Sequence, residues 1–542
     1  MTPFKQDRSL FLLPLGWTFL AVAALYLRPL WPVDETRYVA VAWEMWLRGD
    51  FLVPHLNGEA YSQKPPLLFW LMQAGWAVFG VNEWWPRLIA PLLALGGAGL
   101  MLRLARRLSP ENSDFGSNAV WIYSGALLFG ALFTLVGFDG LLVCSTLIGM
   151  LGIVRAARGE LLRGMLWLGV GIGLGVLSKG PVILLHVLPA AVFAPWWSQD
   201  VRSNKGRWYW ALLGAIIFGA VLALAWAIPA AYVGGAAYRN AIFWGQTAGR
   251  MTSSFAHRAP IWWYLPLLPL LLFPWLLWPS MWRGLNALRR ERDDNVRFLL
   301  AWIVPVFIGF SLISGKQERY LLPLLPGAAL FMAYALQQVQ DVREKVRRLD
   351  LFLPALGFAL LAGAWIYALM HPQRLGTALS DTHLPLWPGF VFASLSLLLI
   401  FSSAAHLKVR LRLLSGAMLL LILVAYFSAI PLIVPFSDPR PVAQQLANLQ
   451  TRGLALAHWG KYHGQFNFSG RLLRVIEIDS LERLGAWLQQ NPEGRIMVYV
   501  EETSAGKHQP EFERRFRGGY IQVWRASAFY ALQVAPTVPL AP

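Results

Sequence analysis

Two adjacent carboxylates, Asp34 and Glu35, follow directly on an apolar run, and Arg37 and Tyr38 lie within one helical turn of them. At a membrane boundary such carboxylates stay within reach of water and of a polar substrate. Residues 33–48 suit a helix lying along the interface with Asp34 near its amino-terminal cap, and capping alone would account for an Asp there. The stretch continues to Tyr61-Ser-Gln-Lys64-Pro-Pro66. Lys64 is a candidate partner for a phosphate or carboxylate, and a lysine snorkelling to headgroups is the plainer alternative. Asp139, Lys179, Arg239, Arg250, Arg258, Lys316, Glu318, Arg319 and Tyr320 also fall between apolar runs. The spacing puts Asp139 in a tight turn, where it can pair with Lys64 or Lys179, since charges near membrane depth find partners. Together these residues outline a cationic cavity suited to phosphate-bearing lipids. His55, Glu59 and His257 match no dense ligand spacing, so a divalent cation has only weak support, no metal ligands are assigned and no cofactor is required.

The elements that must position these residues are membrane spans. The 542 residues are 56% hydrophobic and only 14% charged, with 27 Trp and 31 Phe. So few charges cannot cover a soluble protein of this size, and aromatic rings favour the lipid boundary. The net charge of +18 comes from short clusters between apolar stretches, which points to membrane topology and anionic lipid rather than to nucleic acid. The single cysteine, Cys144, excludes intrachain disulfides. Apolar runs predict about thirteen transmembrane helices, the first at residues 10–27 and the last at 413–433, with 67–81 as a helix lying at the interface. Single spans are expected over 118–136 and over 262–281. The clusters around Arg103, Arg155, Arg202, Arg289, Arg343 and Lys408 fall in alternate loops, which the positive-inside rule places in the cytoplasm. Loops 32–65 and 234–260 then face outward, to the periplasm in a bacterium. The expected organisation is a transmembrane domain over 1–434 and a soluble periplasmic α/β domain over 435–542. Strands are expected there at 454–458, 472–478, 496–500 and 520–524.

Asp34-Glu35-Thr36-Arg37-Tyr38, Gly49-Asp50-Phe51, His55-Leu-Asn-Gly58 and Tyr61-Ser-Gln-Lys64-Pro65 resemble the first periplasmic loop of the glycosyltransferase C superfamily. Within it, the sequence is most similar to the bacterial lipid A aminoarabinose transferases, relatives of the protein O-mannosyltransferases. The stretch Arg319-Tyr320-Leu-Leu-Pro323, the number of spans and the outward tail extend the resemblance over most of the chain. It implies a multi-pass inner-membrane enzyme that moves 4-amino-4-deoxy-L-arabinose from undecaprenyl phosphate to a lipid A phosphate at the periplasmic face. The outcome would be resistance to polymyxin and cationic peptides. By resemblance, Asp34 is the functional first-loop acid, and Lys64 holds donor phosphate with Tyr61 nearby. Asp139 steadies Lys64, and Tyr320, after Arg319, contacts phosphate. Arg37, Lys179, Arg250 and Arg258 are added as substrate-binding residues on topology and charge. Gln63 departs from the acidic residue expected before the lysine. Another polyprenyl-phosphate-sugar transferase with a protein hydroxyl as acceptor is the alternative, and a lipid-linked sugar transporter, which would place its polar site near the midplane, is a further one.

Overall fold

The computed structural model describes residues 8–245, 258–289, 293–341, 348–375, 384–402, 406–501 and 509–534. Among these, eight helices are long and apolar enough to cross a bilayer, and five shorter apolar helices accompany them. The chain is a multi-span membrane protein. Its first helices are α1 (Leu12–Leu27), α2 (Asp34–Arg48), α3 (Leu67–Phe79) and α4 (Trp84–Leu108). There follow α5 (Ser113–Ser124), α6 (Leu127–Leu132), α7 (Asp139–Ala157), α8 (Leu161–Lys179) and α9 (Val182–Val192). The last long apolar helix is Leu407–Ser437.

Two segments depart from the expected single spans. Residues 118–136 break between α5 and α6 and run irregularly after Leu132, while residues 261–288 are four short helical pieces interrupted around Phe273-Pro274. The two breaks meet, and the Leu127 amide donates to the Phe273 carbonyl at 3.1 Å. Backbone groups freed inside an apolar bundle need such a partner, so one interruption supplies what the other lacks. Apolar periodicity could not reveal this, because both stretches remain hydrophobic throughout.

The α7–α8 hairpin sets one side of the site. Each helix has 19 residues, about 28 Å at 1.5 Å per residue, and only Arg158-Gly159-Glu160 joins them. Equal lengths and a short turn return the end of α8 to the level of the start of α7. The helices touch along small residues. A methyl group on Gly152 would lie 2.5 Å from the Gly164 carbonyl oxygen, and one on Gly171 would lie 2.7 Å from the Gly149 nitrogen. Such backbone approach is how membrane helices pack when apolar burial gives no advantage over lipid.

Beyond Ser437 the chain forms a five-stranded sheet in the order β4-β3-β5-β7-β6. Its strands are β3 (Leu456–Trp459), β4 (Ile476–Ile478), β5 (Arg495–Val500), β6 (Phe512–Phe516) and β7 (Gly519–Arg525). Strands occur at all four expected places, and β6 is additional. β3 pairs in parallel with β4 and β5, while β7 is antiparallel to β5 and β6. Val442 and Leu446 of helix Arg440–Thr451 join Met497, Ile521 and Val523 in one apolar cluster, and Leu484 and Phe529 join Ile496 and Trp524 in another.

This sheet unit grips the first loop. β1 (His55–Leu56) and β2 (Glu59–Ala60) form a hairpin whose turn, Asn57-Gly58, has φ of 56° and 92°. Asn-Gly is the pair that this left-handed turn favours. The Asn57 side chain donates to the Val475 carbonyl at 2.6 Å and accepts from the Val475 amide at 2.8 Å. Phe468 stacks on Trp76 of α3 at 5.7 Å, and Arg471 covers Phe468 at 4.2 Å.

Replacing Gly152 by Val should disturb the α7–α8 seam, with an overpacking cost of about 1–3 kcal/mol. Thermal unfolding of the purified protein in detergent should show a lowered midpoint. An unchanged midpoint would contradict the close helix approach.

Candidate active site

The first loop is held by a charge pair that water hardly reaches. Arg28 follows α1, and Glu35 is the second residue of α2; they are 2% and 3% exposed. Arg28 Nη1 and Nη2 donate to the two Glu35 oxygens at 2.5 and 3.1 Å, and Nη2 also donates to the Thr134 carbonyl at 2.6 Å. Glu35 accepts from the amides of Trp31 at 2.7 Å and Val136 at 2.5 Å. Arg87 of α4 donates to the Arg28 carbonyl at 2.7 Å and the Ala24 carbonyl at 2.5 Å. A buried charge needs this density of partners to offset its lost hydration. The network fixes the entry to α2 against the segment that leads into α7.

Both candidate carboxylates thereby open helices, Asp34 on α2 and Asp139 on α7. The positive end of each helix favours an acid there. The tight turn expected around Asp139 is instead a helix start preceded by the irregular residues 133–138. A cavity of about 610 Å³ opens between these helices. Asp34, Glu35, Asp139, Lys316, Glu318, Arg319 and Arg517 contribute to its polar wall, and Leu93, Phe129 and Phe133 to its apolar wall.

Cations meet both acids. Asp34 pairs with Arg37 one turn along α2, and its other oxygen accepts from Arg319 Nη1 at 3.1 Å. Gln317 orients Arg319 by accepting from its Nε at 2.7 Å. Asp139 pairs with Lys179 from the end of α8, one of the two partners considered for it. Lys179 Nζ also lies 5.1 Å from the centre of the Tyr320 ring. Lys64 is placed beside the next residue back, 5.9 Å above the Phe138 ring. Tyr61 is buried with its ring edge-on to Phe69, which is edge-on to Phe138 in turn, and Tyr38 meets Phe138 at 5.0 Å. Burial, with the charge of Asp34 adding to it, pushes the Tyr38 hydroxyl up to about 12, so it keeps its proton.

The remaining candidates are less central. Lys316 Nζ donates to the carbonyls of Ala259 at 3.0 Å and Ile313 at 2.6 Å, so its charge ties two loops together. Arg258 is exposed and forms an isolated antiparallel bridge with Gly315. Arg250 and His257 lie outside the described residues. Among the described residues no three His, Cys, Asp or Glu side chains gather as metal ligands would. Arg28, Arg87 and Arg517 were not singled out from the sequence. For Arg28 a signal existed: it is a lone cation ending the first apolar run, away from the basic clusters.

Comparison with known proteins gives this arrangement a context. The profile of the dolichyl-phosphate-mannose-protein mannosyltransferase family matches residues 63–226, and that of the Alg9-like mannosyltransferase family matches residues 252–383. The chain is 32% identical over 374 residues to the undecaprenyl phosphate-alpha-4-amino-4-deoxy-L-arabinose arabinosyl transferase of Pseudomonas aeruginosa strain UCBPP-PA14, covering 66% of this chain and 64% of that one. It thus spans just under two thirds of that relative's length. The transferase of the same description from Erwinia tasmaniensis is 27% identical over 77% of both chains. Among solved structures, ArnT from Cupriavidus metallidurans bound to undecaprenyl phosphate superposes with a TM-score of 0.69 at 19% identity, covering 95% of this chain and 98% of that one. The arabinosyltransferase EmbB from Mycobacterium smegmatis gives a TM-score of 0.51 at 13% identity, covering 84% of this chain and 43% of that one.

The helical frame is therefore that of the membrane glycosyltransferases of the C superfamily. By sequence the chain is a homologue of the undecaprenyl phosphate aminoarabinose transferases, in agreement with the residues of its first loop.

Breaking the buried pair from one side should be costly, because the partner charge stays behind without compensation. Arg28→Met should lower stability by about 3–5 kcal/mol. The check is thermal unfolding in detergent beside Arg440→Ala, which removes a charge from an exposed ion pair with Asp438. Equal midpoints for the two variants would contradict the organising role of the Arg28–Glu35 contact.

Proposed function

We propose that this protein transfers 4-amino-4-deoxy-L-arabinose from undecaprenyl phosphate to a phosphate of lipid A, and so confers resistance to polymyxin and cationic peptides. The observation that carries the reading is the meeting of Asp34 and Asp139, each with its cations, in one cavity that also has an apolar wall, within a homologue of the aminoarabinose transferases. The basic clusters support an inner-membrane protein with its amino terminus in the cytoplasm. Counting 113–132 and 261–288 as one pass each gives thirteen spans, with the site and the 435–542 domain on the periplasmic side.

In the transfer step, the bond between the sugar's anomeric carbon and the donor phosphate oxygen breaks. A lipid A phosphate oxygen forms the new bond to that carbon, and undecaprenyl phosphate leaves with the electron pair. The donor is already activated, so the protein's task is to stabilise the leaving phosphate and align the acceptor, with no cofactor. Lys64, Lys179, Arg258 and Arg319 are the candidates for the first task, with Tyr61 and Tyr320 beside them and Arg250 as a further one. Asp139 steadies Lys179, with which it pairs, and Lys64 beside Phe138. Asp34 orients the acceptor or steadies positive charge on the sugar. Its two oxygens are already engaged by Arg37 and Arg319. An anionic acceptor needs no general base.

A second reading, transfer of a polyprenyl-linked sugar to a protein hydroxyl, is favoured by the mannosyltransferase profile over 63–226. One experiment separates them. Cells that make the aminoarabinose donor but lack their own transferase are complemented with the wild type or with Asp34→Asn, and their lipid A is analysed by mass spectrometry. The aminoarabinose increment is expected with the wild type and at least a hundredfold less of it with Asp34→Asn, on the scale of losing one electrostatic stabiliser. Unmodified lipid A together with glycosylated protein would favour the second reading.

A further inference from the structure

The cavity has one polar contributor that comes neither from the spans nor from the first loop. Arg517 sits in the two-residue turn between β6 and β7, where Phe516 pairs with Gly519, and it lines the same cavity as Asp34, Asp139 and Arg319. Its backbone amide donates to the carbonyl of Phe436, in the last turn of helix Leu407–Ser437, at 2.5 Å. Arg515 from the same hairpin covers the Phe436 ring at 5.1 Å. The tip is therefore anchored at the point where the last span gives way to the sheet unit, and Asn57 and Phe468 hold that unit on the first loop from another side.

Three features set Arg517 apart from the other cations. Arg37 and Arg319 share Asp34, Lys179 has Asp139, and Lys316 is taken up by the carbonyls of Ala259 and Ile313. Among the described residues no carboxylate forms an ion pair with Arg517, so its charge remains available to a ligand. Its φ of +59° belongs to the left-handed region, which disfavours a side chain bearing Cβ, and the following residue is Gly518. A glycine would relax the turn, so the arginine occupies this position despite a backbone cost. The surroundings add to the positive field. Burial, and then the cations Arg37, Lys461 and Arg517, hold the His463 imidazole below its ordinary range, so His463 does not compete as a cation near neutral pH.

Resting on the transfer reading above, we propose that Arg517 binds the phosphate of the acceptor, a phosphate monoester carried on a saccharide headgroup. The two lipids differ in where their phosphate lies. In a polyprenyl phosphate the group is bonded directly to the isoprenoid tail and stays at the depth where that tail ends. A sugar-borne phosphate stands further from its acyl chains, on the water side. Arg517 reaches the cavity from the water side, from a hairpin outside the spans. Its guanidinium suits a phosphate that must be oriented through two oxygens at once.

The test uses the full chain in nanodiscs, the wild type beside Arg517→Gly and Arg517→Lys. Arg517→Gly should fold, since glycine favours this φ, and its thermal midpoint should equal or exceed that of the wild type. Native mass spectrometry then measures binding of diphosphorylated lipid A and of undecaprenyl phosphate, and turnover gives KM for each lipid. Arg517→Gly should weaken lipid A binding and raise its KM about tenfold or more. Undecaprenyl phosphate affinity and donor KM should change less than twofold, and Arg517→Lys should recover part of the loss. Unchanged lipid A binding, equal weakening of both lipids, or a wild type that binds no lipid A would overturn the proposal. Normal transfer by Arg517→Gly at unchanged acceptor KM would remove the proposal and leave the transfer reading intact. A wild type that binds lipid A through Arg517 but transfers no aminoarabinose to it would do the reverse.

Discussion

The Arg28–Glu35 pair is the contact on which the site's geometry rests. Its two ends are seven residues apart, yet its hydrogen bonds reach Thr134 and Val136 and, through the Arg28 carbonyl, Arg87. A guanidinium and a carboxylate at 2–3% exposure have almost no water to fall back on, so protein groups must supply most of their partners. The density of those contacts makes the arrangement specific. Glu35 fixes the first turn of α2, and so fixes Asp34 beside it. The Val136 amide ties in the segment that turns into α7 and Asp139. The acid that touches the cavity most directly is thus set by a neighbour whose work is structural.

The α7–α8 hairpin adds a second constraint of a different kind. Two helices of equal length joined by three residues bring their far ends level, and the glycine contacts bring their axes close. An acid at the start of one and a lysine at the end of the other then meet with both helix dipoles in their favour. Lys179 is drawn on by Asp139 and by the Tyr320 face together. The 316–322 segment, which also carries Arg319 to Asp34, is thereby connected to both acids. One short stretch of chain links the two halves of the site.

The sheet unit beyond Ser437 is part of this assembly rather than an appendage. Asn57 serves twice, supplying the left-handed turn of the first-loop hairpin and reading both polar groups of Val475. Phe468 completes the apolar cluster under α2 and α3. With the β6–β7 turn resting on the end of the last span, the unit holds the first loop and borders the cavity at once. The unit thus bears on the cavity although it lies beyond the last long apolar helix.

Much of this protein is written locally. Long apolar runs with clustered cations determine a multi-span membrane protein, because lipid enforces helices wherever the chain crosses it. The cations that lie between apolar runs, away from the basic clusters, marked the candidate site, and the first-loop motif indicated the family. The tertiary structure decided what lies between distant segments. Asp139 is 40 residues from Lys179, Arg319 is 285 from Asp34, and Asn57 is 418 from Val475. The sequence offered Lys179 as a partner for Asp139, and the packing of α7 on α8 brings the two together. It marked Asp34 and Glu35 alike, and although both border the cavity, burial separates the more accessible acid from the one that holds the frame. Arg517 resembled any exposed arginine in a soluble hairpin until the fold placed that hairpin over the site. Charge type and hydropathy are properties of a residue, whereas a partner and a depth are properties of a fold.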